Sequence, residues 1–83
     1  MSTFVINLCR YGNTYLMTWL NHDNINTIPA ILKCILNDST KNTSSGYLLF
    51  DNELSYNDFK HNLLPLQIKL NNNLFKLIIN VYE

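Results

Sequence analysis

Two alternating apolar segments around one glycine–asparagine pair constrain the fold of this chain more than any other feature. Alternate residues on both sides of the pair are apolar: Phe4, Ile6, Leu8, Tyr15, Met17 and Trp19. A period of two residues is that of a β-strand. Gly12 and Asn13 between them tolerate the positive φ angles of a tight hairpin turn. The sequence therefore predicts a β-hairpin from Thr3 to Leu20.

The segment after the hairpin has the spacing of a helix. Its apolar residues fall at i, i+3, i+4 and i+7: Ile28, Ile31, Leu32 and Ile35. One side of such a helix could lie on the hairpin. Pro29 fits the first turn if Thr27 is the N-cap, because the N–H that proline lacks has no intrahelical partner there. We expect the main helix at about residues 28–37.

Two further strands follow. The segment "YLLF" (47–50) is a short apolar strand that ends at Asp51-Asn52. The last strand is predicted from Phe75 to Val81, where apolar residues again alternate. Residues between these strands give no clear period. They are expected to hold another short strand and one helical turn, because Pro65 argues against one long helix.

These elements predict an α+β domain with a four- to five-stranded mixed sheet and one main helix packed on one face. The N-terminal and C-terminal strands are the most apolar, so we expect them to pair in parallel in the middle of the sheet, as in a β-grasp. A chain of 83 residues is large enough for one core. A single domain over residues 1–83 is expected.

Charge and composition exclude several classes of partner. Six Lys and Arg residues balance six Asp and Glu residues, so the chain lacks the net positive charge that binds nucleic acids and anionic membranes. No apolar run approaches the roughly 18 residues of a membrane span, and no signal-peptide pattern is present. Cys9 and Cys34 lack a metal-like spacing and fit buried, reduced thiols. We expect a soluble intracellular protein, cytoplasmic or nuclear.

The order of the segments resembles the ubiquitin-like superfamily. "FVINLCRYGNTYLMTW" is similar to its first hairpin, "DNINTIPAILKCI" to the start of its helix, and "YLLFDNEL" to its third strand and the following turn. "LLPLQI" resembles the L-x-D-Y-x-I segment that packs beneath the helix, with Pro65 and Leu66 at the acidic and tyrosine positions. "NNNLFKLIINV" is similar to the closing strand. The resemblance covers nearly the whole chain and implies a ubiquitin-like β-grasp.

Two narrower families within this fold also resemble the chain. Asp51, Glu53 and Asp58 are similar to the acidic loop of PB1 interaction domains, although the glycine and the second acidic pair of that motif are missing. "YGNTY" (11–15) and "QI" (67–68) resemble small bacterial ubiquitin-like proteins of the YukD type, which are accessory to type VII secretion. These resemblances imply, respectively, a self-associating scaffold module and an accessory secretion protein.

Residues that would carry covalent chemistry are sparse. Conjugating ubiquitin-like proteins need a flexible tail ending in Gly-Gly, whereas this sequence ends Val81-Tyr82-Glu83, so the resemblance implies a non-conjugating member. His22 and His61 are the only histidines, and neither has a ligand or triad spacing to Cys, Asp or Glu. We therefore predict no enzyme activity, no metal site and no cofactor.

Strand alternation predicts which side chains face outward. If Leu48 and Phe50 face the core, Tyr47 and Leu49 point away from it, and the same parity in the last strand points Lys76 and Ile78 outward. Leu16 and Leu20 would extend this surface. The alternative is that each aliphatic residue belongs to the core or is a lone exposed apolar group.

The resemblance implies that Leu49 and Ile78 form an apolar pair, bordered by Lys76, on the open sheet face through which ubiquitin-like domains are recognised. The predicted function is a non-catalytic protein-protein interaction module, a subunit or adaptor in a larger complex. Its partners would be proteins, and it could form homo- or hetero-oligomers. The alternatives are the PB1-like module, acting through Asp51, Glu53 and Asp58, and the accessory secretion protein.

Overall fold

The computed structural model describes residues 2–21, 29–32 and 45–83, which form a four-stranded mixed sheet and one long helix. The strands are β1 (Ser2–Tyr11), β2 (Thr14–Asn21), β3 (Ser45–Phe50) and β4 (Phe75–Tyr82), and helix α1 (Glu53–Leu70) connects the last two. The predicted α+β class is confirmed, and the arrangement is compatible with a β-grasp-like fold. No helix within the described ranges is both long and apolar enough to cross a membrane.

The predicted hairpin is confirmed. Strands β1 and β2 pair antiparallel with Tyr11 opposite Thr14, which leaves Gly12 and Asn13 as a two-residue turn. Gly12 has a φ of 59°, in the left-handed region where a Cβ is unfavourable. Such turns match the right-handed twist of the strands that they join.

The order of the sheet is β3-β2-β1-β4. Strand β4 runs parallel to β1, with Ser2 opposite Phe75, so the predicted parallel pairing of the two terminal strands is confirmed. The expectation that β4 is central is wrong for the described strands, among which β4 lies at one edge and β3 at the other. Apolar alternation reports which side of a strand is buried and not how many neighbours the strand has.

The expectation of a short strand and a helical turn between β3 and β4 is also wrong. This region is α1, which starts at the N-cap Asn52, whose side-chain oxygen accepts a 2.9 Å hydrogen bond from the backbone N–H of Ser55. Pro65 lies inside α1 on its exposed side. There water can bond the carbonyl that proline leaves unpaired. The "LLPLQI" segment therefore belongs to a helix.

Burial explains why α1 persists despite its proline. Proline in a helix interior costs roughly 3 kcal/mol, whereas full burial of one large apolar side chain contributes about 1.5–3 kcal/mol. Three buried side chains of α1, those of Tyr56, Leu63 and Leu66, offset the cost.

The predicted helix at 28–37 falls mostly outside the described residues, including its N-cap Thr27. Residues 30–32 are helical, and the backbone N–H of Leu32 donates to the carbonyl of Pro29 at 3.1 Å. Leu32 is fully buried, as expected, but Ile31 is 41% exposed. The long helix that the described residues place on the sheet is α1, and most of the segment that the periodicity favoured lies outside the described residues.

The core lies between α1 and one face of the sheet, and we call this face the covered face. Its buried strand residues occupy alternate positions in β1, β2 and β4: Phe4, Ile6, Leu8, Tyr15, Met17, Trp19, Phe75, Leu77 and Ile79. Leu48 and Phe50 of β3 pack against this cluster, as predicted. The rings of Phe50 and Tyr56 meet edge to face, with centroids 5.6 Å apart.

Candidate protein-interaction surface

The second face of the sheet carries the side chains at the remaining positions, and we call it the open face. Because neighbouring residues of a strand point to opposite sides, Tyr47 and Leu49 of β3 lie on this face. They are 68% and 56% exposed. Lys76 is exposed and Ile78 is half-buried on the same face of β4. The orientations agree with the predicted alternation, while a role in binding stays a prediction.

The register of the strands arranges the open face in rows that cross the sheet. One apolar row joins Leu20, Val5 and Ile78. A second row joins Leu49, Leu16, Cys9 and Tyr82. Cys9 is a free, half-buried thiol. The expected extension of the surface through Leu16 and Leu20 agrees with this register.

A polar row separates the two apolar rows. Thr18, Asn7 and Asn80 are neighbours in the register, and Tyr47 of β3 continues the row. The Asn7 Nδ2 donates to Thr18 Oγ1 at 3.3 Å, and Asn80 Nδ2 donates to Asn7 Oδ1 at 3.0 Å. The side chain of Asn7 thus links three strands by hydrogen bonds on the open face.

The structure does not bring Leu49 and Ile78 together as a pair. They lie on the two edge strands, with β2 and β1 between them. At about 4.8 Å per strand spacing, the edge strands are roughly 14 Å apart. Leu49 and Ile78 also belong to different apolar rows, so they mark opposite corners of the open face.

Sequence reasoning missed the polar row. A signal for it existed, because Asn7, Thr18 and Asn80 each interrupt the apolar positions of their strand on the side away from the core. Only the register shows that the three interruptions align. The open face is consequently an amphipathic surface and not one continuous apolar patch.

The predicted acidic loop is the start of a helix. Asp51 lies beside the N-cap Asn52, and Glu53 is in the first turn of α1, where the helix dipole favours negative charge. Asp51 and Asp58 are exposed. Asp51 therefore lies just before α1, and Glu53 and Asp58 lie within its first two turns, so the three carboxylates do not form a separate loop.

Glu53 is engaged within the chain. Its Oε2 accepts a 3.1 Å hydrogen bond from the Tyr15 hydroxyl and lies 3.6 Å from Arg10 Nη2. Burial raises the pKa of Tyr15, and the hydrogen bond to Glu53 raises it further. Arg10 also lies over the ring of Tyr15, 5.5 Å from its centroid. Of the three acidic residues, Glu53 thus stabilises contact between α1 and the hairpin.

A second polar cluster joins α1 to the end of β4. Glu83 Oε2 accepts hydrogen bonds from Lys60 Nζ at 2.8 Å and from the Tyr56 hydroxyl at 3.0 Å. The bond from Lys60, and then that from Tyr56, lowers the pKa of Glu83. Burial of the Tyr56 phenol, followed by its bond to Glu83, raises the pKa of Tyr56. The cluster anchors the first half of α1 to β4.

The remaining candidates for chemistry lie apart from this surface or outside the described residues. His61 is exposed on α1, in line with the expected surface position. His22 and Cys34 fall outside the described ranges. Within residues 2–21, 29–32 and 45–83, no three His, Cys, Asp or Glu side chains are grouped as a metal ion would need.

No protein-family model, no curated protein and no solved structure matches this chain.

Proposed function

We propose that this chain is a non-catalytic, ubiquitin-like protein-interaction module that binds a protein partner through the open face of its sheet. In this proposal the module is a subunit or adaptor in a larger cytoplasmic complex. Leu49 and Tyr47 provide contacts at one edge of the face, and Ile78 and Lys76 provide them at the other.

The observation that carries the proposal is the exposure of apolar side chains in register. Leu49 and Tyr82 lie at the ends of one apolar row, and both are more than half exposed. Single exposed apolar residues are common, whereas neighbouring exposed apolar side chains that are bordered by polar groups mark interaction surfaces. The balanced charge of the chain favours a protein over a nucleic acid as the partner.

The test compares Leu49→Asp with Leu54→Asp. Leu54 is 70% exposed on α1, which packs on the covered face, so the two variants place the same new charge on opposite sides of the domain. Proteins that co-purify with the tagged wild-type chain would be identified by mass spectrometry and their capture by each variant quantified. We expect Leu49→Asp to lose the partner and Leu54→Asp to retain it. Equal capture by both variants would refute the proposal.

Charge reversal tests the acidic residues as the competing surface. Asp51→Lys alters an exposed charge, whereas Glu53→Lys also removes the contacts with Tyr15 and Arg10. Asp51→Lys is therefore the cleaner variant, and circular dichroism would verify its fold. On the proposal, Asp51→Lys retains the partner. Its loss from a folded Asp51→Lys variant would favour the PB1-like alternative.

A further inference from the structure

The two edges of the sheet differ in how their outward backbone groups are satisfied. At the edge of β4, side chains from α1 and its C-terminal end accept the outward N–H groups. Asn71 Oδ1 accepts from Leu77 at 2.6 Å, and Gln67 Oε1 accepts from Ile79 at 2.7 Å. Asn72 Oδ1 accepts from Phe75 at 2.9 Å. These side chains close the β4 edge to another strand.

The outward groups of β3 follow from the register. In a hairpin with a two-residue turn, the residues that flank the turn form a hydrogen-bonded pair, so even-numbered residues of β2 bond to β1. Odd-numbered residues of β2 then bond to β3, and Met17 lies opposite Leu48. The backbone N–H and C=O groups of Tyr47 and Leu49 consequently point outward. No described strand lies beyond β3.

We propose that β3 pairs antiparallel with β3 of a second copy of this chain, extending the sheet across a two-fold axis at Tyr47. This contact uses the backbone edge of β3 and stands apart from the proposed binding of a partner to the open face. Tyr47 would lie opposite its own copy, and Leu49 opposite Ser45 of the second copy. Such pairing forms about six backbone hydrogen bonds.

Self-complementarity argues for a second copy as the occupant. Strand β3 carries no charged residue, so the two-fold pairing sets no like charges against each other. The polar rows of the two copies would meet at Tyr47, and the row ending in Leu49 would meet the row containing Leu20 through Ser45. The polar rows thus continue into each other at Tyr47, and the small side chain of Ser45 leaves room for Leu49 on either side of the axis.

The closed β4 edge makes the assembly finite. If both edges were open, β3 of one copy could pair with β4 of the next and produce an unending filament. Because Asn71, Asn72 and Gln67 occupy the β4 edge, only the β3 edges can pair, and the assembly stops at two copies. A contact of one short strand buries less than about 1,200 Å², so we expect a weak, concentration-dependent dimer.

Amide hydrogen exchange of the full wild-type chain at low and high protein concentration tests this pairing. We expect exchange at Tyr47 and Leu49 to slow several-fold as the concentration rises. The amide of Leu48, which bonds to β2, provides an internal control and should exchange at a constant rate. Analytical ultracentrifugation of the same samples would report the dimer directly.

A pair of variants separates backbone from side chain. Leu49→Pro removes the outward N–H, and proline is tolerated where a strand edge faces solvent, whereas Leu49→Ala removes most of the side chain and keeps the N–H. We expect dimerisation to be lost in Leu49→Pro and retained in Leu49→Ala. If Leu49→Pro does not fold, the exchange data on the wild-type chain decide alone.

Three results would overturn the proposal. The first is a monomer at every concentration. The second is a dimer in which the exchange of Tyr47 and Leu49 does not change, which would place the contact on another surface. The third is protection of these two amides that does not depend on concentration, which would mean that the edge is occupied within one chain.

Discussion

The side chain of Gln67 connects helix α1 to the outer edge of β4, where its Oε1 accepts a 2.7 Å hydrogen bond from the backbone N–H of Ile79. Ile79 is buried on the covered face, while its N–H points away from β1. One amide group therefore both satisfies an edge strand and fixes the position of the helix along it.

Replacement of Gln67 by leucine should destabilise the fold. The variant keeps a side chain of similar size but leaves the N–H of Ile79 without its acceptor, which costs about 1 kcal/mol in the free energy of unfolding. Urea-induced unfolding followed by circular dichroism would measure this loss in the free energy of unfolding. Gln67→Glu replaces the amide oxygen by a carboxylate oxygen that can accept the same hydrogen bond, so this variant should stay close to the wild type. Equal losses in both variants would show that the hydrogen bond is not the cause.

Gly46→Ala tests the packing of β3 on the covered face. A Cβ at Gly46 would overlap the indole of Trp19, lying 2.8 Å from Cη2. Since Trp19 is buried and has little room to move, we expect a loss of about 1–3 kcal/mol.

The double variant Gly46→Ala with Trp19→Phe provides the control for this overlap. The smaller ring leaves space for the added methyl group, so the alanine should cost less in this background than in the wild type. Thermal unfolding of the four proteins in the cycle would give the coupling energy. An unchanged cost of Gly46→Ala beside Phe would rule out the steric explanation.

Pro65→Ala should stabilise the protein. The alanine restores a backbone N–H inside α1 and relieves part of the roughly 3 kcal/mol that proline costs in a helix interior. The unfolded chain gains conformational freedom, which subtracts about 0.4–1 kcal/mol. A net gain of about 1 kcal/mol or more is expected in urea unfolding. Asn62→Ala, at an exposed position of the same helix, should change stability by less than about 0.7 kcal/mol.

The stability of the fold should decline in acid through Glu83. Its hydrogen bonds hold the pKa below the ordinary value of 4.5 in the folded chain. A carboxyl group with a lowered folded pKa stabilises the protein above its unfolded pKa, and this contribution is lost as the pH falls through the folded pKa. A carboxyl titration followed by NMR would measure the shift. Lys60→Met should move the pKa of Glu83 back toward 4.5, and an unchanged pKa would contradict the assignment.

Strand periodicity was sufficient to predict most of the sheet. The hairpin follows from period-two alternation around turn residues, the position of β3 from its short apolar run, and the parallel pairing of the two terminal strands from their apolar character. Helix α1 was not predicted, because its apolar residues do not all fall on one side of the helix. Leu54 and Ile68 are exposed, while Tyr56 and Leu63 are buried. Tertiary burial, which no local pattern records, decides that this segment is helical.

The candidate surface was predictable in orientation but not in arrangement. Alternation points Leu49 and Ile78 out of the core, yet the distance between them depends on the order of the strands. Nor does composition reveal what the many asparagines do. Asn52 caps α1, Asn71 closes the β4 edge, and Asn7 links three strands. Each role needs a donor or acceptor at one position, which only the folded chain defines.

The hydrogen-bonded row of Thr18, Asn7 and Asn80 limits which molecules can lie on this side of the domain. A side-chain amide has two donor protons and an acceptor oxygen, so the row keeps bonding capacity beyond its internal contacts. A smooth hydrocarbon surface laid across it would deprive each unsatisfied group of water at a cost of about 1–3 kcal/mol. A partner surface with polar atoms between two apolar rows would bond these groups and avoid that cost. The row thereby disfavours nonspecific binding to apolar surfaces.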